Sequence, residues 1–213
     1  MNKFKYRLFG RSKGRGKNTQ ISKEANNIKI TKIDSCKYNV IDIGCGYGES
    51  TLEIAMSETK KNVIACEKYV DGINNIVKIK TKNLLNNISI FHGNVHQLFD
   101  EFCPKNSISE IWILFPDPWP KKKHNKRRLI NENFLDKLRL YLKKEALIHI
   151  ATDSQPYLSE ILISICNFKN YYSWINQSKA EWDYSNLELP KTKYFQKAQK
   201  NGNNSFYLKL MKL

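Results

Sequence analysis

From about Tyr38 onward, short apolar runs alternate with longer amphipathic ones. The apolar runs are Val40–Ile43, Val63–Cys66, Ile88–Phe91, Ile108–Phe115 and Ala146–Ala151, each of strand length and rich in Ile or Val. Such runs predict strands that are buried on both faces. Between them, Glu49–Ser57, Val70–Leu85, Val95–Phe102, Leu129–Leu142 and Gln155–Phe168 predict helices. Strands alternating with helices give an α/β fold, a mostly parallel sheet with helices on both faces. In Ser205–Leu213, the spacing of Phe206, Leu208 and Leu210 predicts an antiparallel last strand. Residues 1–27 show no apolar period beyond Phe4, Leu8 and Phe9 and contain Gly10, Gly14 and Gly16. They read as a basic, flexible N-terminal arm ahead of a domain at 28–213.

Composition narrows this picture. A chain of 213 residues without a Pro/Ser/Gly-rich linker is expected to form one domain. Ile111–Phe115 is too short to cross a bilayer, and the charged N-terminus is not followed by an apolar stretch, so neither a membrane span nor a signal peptide is expected. Five cysteines, an odd number with no CxxC pair, speak against a disulfide framework or a zinc site and fit a reducing cytoplasm. The net charge of +16 suggests a polyanionic partner. A bias toward Lys, Asn and Ile would give the same excess without selection for binding, and only six of the 36 basic residues are Arg. Placement says more. Eight basic side chains and no acid lie in the first 23 residues, and six more lie between Lys121 and Arg128.

Two stretches carry candidate chemistry. In the first, Val40–Ile43 leads into Gly44-Cys45-Gly46-Tyr47-Gly48, a turn whose glycines let the backbone approach a ligand closely. Glu67 ends the next strand, 23 residues after Gly44, where an acid can take the ribose hydroxyls of an adenosine cofactor. A dinucleotide would want a third glycine where Glu49 stands, and its pyrophosphate would be repelled by Asp42 and Glu49. The same acids suit S-adenosyl-L-methionine, which carries a sulfonium and an amino group and no phosphate. A tight βα turn would use these glycines too. Asn94, after the third strand, can hydrogen-bond an adenine edge or simply cap the following helix.

The second stretch, Phe115-Pro116-Asp117-Pro118-Trp119-Pro120, follows the fourth strand and runs directly into Lys121–Arg128. It falls at the carboxyl edge of the sheet, where open α/β folds bind ligands. The prolines hold Asp117 in place. An acid for a base edge, an aromatic for stacking and cations for phosphates make a nucleic-acid site.

Phe115 to Arg128 closely resembles the signature of the tRNA (guanine-N7)-methyltransferase (TrmB) family. The likeness extends over about residues 10–213 through Gly10-Arg11, Gln20, Asp42 to Gly48, Glu67, Asn94, Ala151-Thr152-Asp153 and Thr192-Lys193-Tyr194. It implies a Rossmann-like methyltransferase fold using S-adenosyl-L-methionine, with tRNA as partner and the variable-loop guanine, position 46 in tRNA numbering, as target. It implies cofactor contacts at Asp42, Gly44, Gly46, Gly48, Glu67, Asn94 and Asp117, a catalytic role for Asp117, and tRNA contacts at Lys121, Asp153, Thr192, Lys193, Tyr194 and Phe195. The family usually has Glu where Asp42 stands, Asp where Asn94 stands and an acid where Phe195 stands. A monomer or homodimer is expected, without metal or partner subunit.

Guanine N7 has a lone pair and no proton, so its methylation needs alignment rather than a strong base. No cysteine lies in the loop after the fourth strand, which disfavours a covalent cysteine mechanism; His124 and His149 read as ordinary loop and strand residues. Two alternatives remain from the sequence. An exocyclic-amine nucleic-acid methyltransferase places a related Asp/Asn-Pro-Pro-aromatic element at the same strand end, and an RNA-binding protein could carry a degenerate cofactor fold.

Overall fold

The apolar runs become strands because both their faces are covered. β1 (Asn39–Ile43) and β4 (Ile108–Leu114) are buried at every residue, and β2 (Asn62–Glu67) at all but its first. With β3 (Ile88–His92), β5 (Leu142–Thr152), β6 (Tyr172–Trp174) and β7 (Phe206–Lys212) they form one sheet in the order β3-β2-β1-β4-β5-β7-β6. The first five strands are parallel, and β7 runs antiparallel to both β5 and β6. These relations come from a computed structural model that describes residues 20–30, 32–176 and 178–213.

Helices α1 (Lys23–Asn27), α2 (Glu49–Ser57) and α3 (Val70–Lys82) cover one face through Ala25, Ile54, Ala55, Ile73, Ile76 and Val77. Helices α4 (Val95–Phe102), α5 (Glu132–Leu138) and α6 (Gln155–Asn167) cover the other through Leu98, Phe99, Phe134, Leu135, Tyr157 and Ile161. Short helices α7 (Lys179–Trp182) and α8 (Lys193–Lys200) precede β7. From β1 the strand order runs outward in both directions, to β2 and β3 on one side and to β4 and β5 on the other. A crevice opens at such a reversal, outside the carboxyl ends of β1 and β4.

Several boundaries differ from expectation. The helix expected over Leu129–Leu142 is confined to α5, because Asn131 caps it by accepting from the Phe134 N–H at 3.0 Å. The chain is already in β5 from Leu142, four residues before the apolar run begins, and Lys143, Lys144 and Glu145 hide that start. The arm expected over 1–27 is shortened from its far end: Ser22 caps α1, its N–H donates to Asn74 Oδ1 of α3 at 2.9 Å, and Ala25 is buried. Residues 1–19 of that arm lie outside the described residues. Among the described residues no helix is long and apolar enough to cross a membrane.

Candidate active site

At the reversal point lies a cavity of about 700 Å³, within the usual size range of small-ligand sites. Gly44 and Gly46 from the turn after β1, Glu67 from β2, Asn94 from the start of α4 and Asp117 from the loop after β4 all line it. Four separate sequence signals therefore converge on one space. Gly44 and Gly46 have φ of +72° and +57°, the left-handed region open to glycine. A Cβ on Gly44 would meet nothing within 4 Å, so the bare backbone faces open space. Gly48 serves differently. It does not line the cavity, and a Cβ there would stand 2.6 Å from Ile76 of α3, so this glycine permits helix packing. Gly72 has the same kind of role and carries no local sequence signal: a Cβ on it would fall 2.1 Å from the Gly46 carbonyl oxygen.

The two acids of the turn are placed unequally. Glu67 lines the cavity, and its carboxylate accepts from the Gly46 N–H at 2.9 Å, the Lys68 N–H at 2.6 Å and the Tyr69 N–H at 2.9 Å. Three of about four lone-pair sites are filled, so the carboxylate shapes the turn as well as offering an acceptor to a ligand. Asp42 lies behind the glycines, 1% exposed. Its Oδ2 accepts from Ser50 Oγ at 2.6 Å and Thr51 Oγ1 at 2.7 Å. Burial pushes its pKa up to about 6 against the opposing pull of the two hydroxyls, and the nearby Glu67 and Glu49 raise it further. A cation bound at the turn would favour its ionised form.

Asn94 caps α4, its side chain accepting from the His96 N–H at 2.8 Å, and it also lines the cavity. Tyr47 and Tyr69, which carry no motif in the sequence, line the same wall with hydroxyls 3.3 Å apart. A ligand with an adenosine part and a positive charge fits this lining of bare backbone, aromatic wall and acids.

The loop bearing Asp117 is held in an unusual conformation. Phe115 and Trp119 have φ of +52° and +43°, which costs free energy in non-glycine residues and persists only where surroundings impose it. The Phe115 N–H donates to the Ala151 carbonyl at 2.8 Å, and its ring packs on Tyr184 and Phe195. Asp117 is exposed at the cavity wall. The basic run then forms a 3₁₀ turn, Lys122–Arg127. Lys121, Lys122, Lys123 and Lys126 are exposed there, Arg127 lies over the Trp119 ring at 5.0 Å, and Arg128 is buried at 4% exposure. The cavity thus has an acidic floor and a cationic rim.

The remaining expected residues separate. Tyr194, on α8, lines the cavity and lies over Gly46, its Cε2 3.8 Å from where a Cβ would be. Lys193 is exposed, bridging to Glu49 at 3.4 Å and lying 4.0 Å over the Tyr47 ring. Thr192 is the buried cap of α8, accepting from the Phe195 N–H at 3.2 Å, and Phe195 is buried against Phe115 and Tyr184. These two support α8 from below and do not line the cavity. Asp153, also outside the cavity lining, accepts from Asn203 Nδ2 at 3.2 Å. Among the described residues no group of three or more His, Cys, Asp or Glu could hold a metal.

Residues 36–208 match the family described as putative methyltransferase. The chain is 33% identical over 174 residues to the tRNA (guanine-N(7)-)-methyltransferase of Buchnera aphidicola, covering 82% of this chain and 72% of that one. The enzyme of the same name from Nitrosococcus oceani is 31% identical over 170 residues, with 80% and 70% covered. A third, from Polaromonas sp., is 41% identical over 123 residues, where the match spans half of the relative's length. Among solved structures, the 16S rRNA methyltransferase KamB aligns with a TM-score of 0.59 at 12% identity, covering 91% of this chain and 95% of that one. An antibiotic-related methyltransferase aligns at 0.56 and 18%, covering 91% and 99%. These structural likenesses concern the fold, whereas the family match over residues 36–208 spans both the glycine turn and the Asp117 loop. The chain belongs to the tRNA (guanine-N7)-methyltransferase family and has the fold of the class I S-adenosylmethionine-dependent methyltransferases.

Proposed function

We propose that the protein transfers a methyl group from S-adenosyl-L-methionine to N7 of guanine at position 46, in the variable loop of tRNA, giving N7-methylguanosine. The observation that carries this reading is the placement of Asp117: exposed on the wall of the cavity that the glycine turn also lines, at the edge of a cationic rim. The relatives' shared name supports the substrate.

S-adenosylmethionine, when bound, supplies an electrophilic methyl on a positively charged sulfur. Gly44 and Gly46 admit it without side-chain obstruction, Glu67 and Asn94 offer hydrogen bonds to its adenosine part, and Asp42 contributes negative charge from behind the turn. Asp117 accepts from guanine N1–H and the exocyclic amino group, which holds N7 in line with the methyl. No proton leaves N7, so the protein's task is alignment and the accommodation of positive charge arriving on the base. Lys121 and its neighbours hold phosphates, Tyr194 and Lys193 bound the base side, and Thr192, Phe195 and Asp153 keep α8 and the adjoining loop in position. The reading includes a cytoplasmic enzyme, which five cysteines without a disulfide fit, working as monomer or homodimer without a partner subunit.

Asp117→Asn tests it. With unmodified tRNA and saturating methyl donor, single-turnover transfer is expected to slow by about ten- to a hundredfold. An amide offers one acceptor oxygen and turns its NH₂ toward a donor, at about 1–3 kcal/mol per unsatisfied group. Digestion of the tRNA should yield N7-methylguanosine that disappears when guanine 46 is replaced. A wild-type rate at saturating donor would assign Asp117 to the cofactor alone, and a different methylated nucleoside would overturn the substrate.

A further inference from the structure

Arg128 ends a run of cations but does not share their environment. Lys121, Lys122, Lys123 and Lys126 are exposed, whereas Arg128 is 4% exposed. Its Nε donates to the Pro118 carbonyl at 2.7 Å and its Nη2 reaches the Trp119 carbonyl at 3.5 Å. Its Nη1 pairs with Glu160 Oε1 of α6 at 2.6 Å, and the guanidinium lies 5.1 Å over the ring of Tyr157, also on α6. Burial, rather than saturation of its donors, sets this guanidinium apart from the exposed rim: it lines the cavity wall, and Nη1 meets Glu160 as an ion pair without hydrogen-bond geometry.

The two carbonyls it holds are those of the residues directly after Asp117. Prolines at 116, 118 and 120 remove every second N–H from this segment, so the loop cannot build a turn from its own donors. Phe115 and Trp119 sit in the left-handed region on either side of Asp117 and need an external restraint to stay there. The planar fork of an arginine presents its donors to two adjacent carbonyls and a carboxylate in a fixed geometry, which the compact, rotating ammonium of a lysine does not preset. Glu160 also accepts from Asn125 Nδ2, in the 3₁₀ turn, at 2.9 Å. Tyr157 accepts from the Ile130 N–H at 2.8 Å. The loop after β4 is thus tied to the helix after β5 by a clamp whose arginine is buried and whose carboxylate, on Glu160, is 41% exposed.

We propose that Arg128, seated by Glu160 and Tyr157, is a positioning residue for methyl transfer: it sets the angle at which Asp117 meets the base and takes no part in holding RNA phosphates. This rests on the reading of Asp117 given above. The test uses the full chain with Arg128→Lys, which keeps the charge, and Glu160→Gln, which leaves the arginine and loosens its seat. Hydrogen exchange at the bonded amides that flank the loop, Phe115 to the Ala151 carbonyl and Ile130 to the Tyr157 hydroxyl, is expected to quicken by about tenfold or more in Arg128→Lys and by less in Glu160→Gln. The single-turnover rate at saturating tRNA and donor should fall by about tenfold or more in Arg128→Lys and follow the same order. The KM for tRNA and the dependence of tRNA binding on salt should stay as in the wild type. Arg128→Lys exchanging and reacting like the wild type would overturn the clamp. So would Arg128→Ala, if folded, shifting the salt dependence while the saturated rate holds, since Arg128 would then be a phosphate ligand. If exchange quickens while the wild type itself places no methyl on guanine N7, the clamp stands and the reading of the site falls.

Discussion

Asp42→Asn removes a charge that the fold holds at a cost. In the folded chain the carboxyl keeps its proton up to about pH 6, against an ordinary value of 3.8. The displacement corresponds to about 3 kcal/mol. Its sign follows from proton binding: between those two values the folded state holds a proton that the unfolded state has lost. The stability linked to that proton is therefore fully present below about pH 3.8 and is lost as pH rises through about 6. Asparagine cannot titrate, yet its single oxygen can accept from both hydroxyls, because both already converge on one atom, Oδ2. The variant should therefore gain on the wild type by about 3 kcal/mol between pH 4 and pH 7.5, or about 6–12 °C in melting temperature for a chain of this size. Urea unfolding of both proteins across that range, without ligand, measures the difference directly. Taking the difference cancels other titrating groups, including Glu110, whose carboxyl lies low at about 2 although burial alone would raise it, because His149 and Lys61 hold the ionised form. In the same samples calorimetry should show weaker binding of the cationic methyl donor to the variant. A wild-type-minus-variant difference that stays flat with pH would mean that Asp42 ionises as in water, and the electrostatic account of the glycine turn would fail.

Glu67→Gln should weaken methyl-donor binding by about ten- to a hundredfold, the range expected when a charged acceptor becomes a neutral amide; an unchanged dissociation constant by calorimetry would limit Glu67 to shaping the turn. Gly72→Ala should destabilise the fold by about 1–3 kcal/mol, because the added methyl meets the backbone oxygen of Gly46; the urea midpoint reads the loss, and donor affinity should fall with it. Replacing Lys121, Lys122 and Lys123 with Gln should flatten the log–log salt dependence of tRNA binding by about 0.7–0.9 for each phosphate left without its cation, with donor affinity unchanged. Equal slopes in the two proteins would make the exposed lysines compositional.

The strands β1 to β4 were legible to within a residue or so because strands covered on both faces are written as short runs dominated by apolar residues, even where Asp42, Ser89, Ser109 and Glu110 interrupt them. The start of β5 was not, since Lys143, Lys144 and Glu145 carry a surface pattern into a strand. Helix α8 was missed because only Phe195 and Ala198 face inward among lysines and glutamines, too few to show a period. In the site, the glycine turn and the Pro-Asp-Pro-Trp segment could be read because their chemistry is local in sequence. Gly72 could not, since its reason is a carbonyl on another element, 2.1 Å from a Cβ it lacks. Arg128 was misleading in a different way. A run of positive charges gives no sign of which member turns inward, and its partners Tyr157 and Glu160 lie on α6, a strand and a helix further along the chain.

The place of β7 between β5 and β6 bears on how the protein is made. β5 ends at Thr152 and β7, its partner along that edge, begins only at Phe206. At a synthesis rate of roughly 5–20 residues per second, the edge of β5 stays unpaired on the ribosome for several seconds after it emerges. It runs Leu147-Ile148-His149-Ile150-Ala151, the kind of open apolar edge on which other chains add strands. β6, already synthesised, cannot close it, because β6 reaches the sheet only through β7. The nascent chain therefore passes through a state in which β1 to β5 are all synthesised and the β5 edge still lacks its partner. Conditions that stall translation in this stretch should favour aggregation over loss of activity in the finished enzyme.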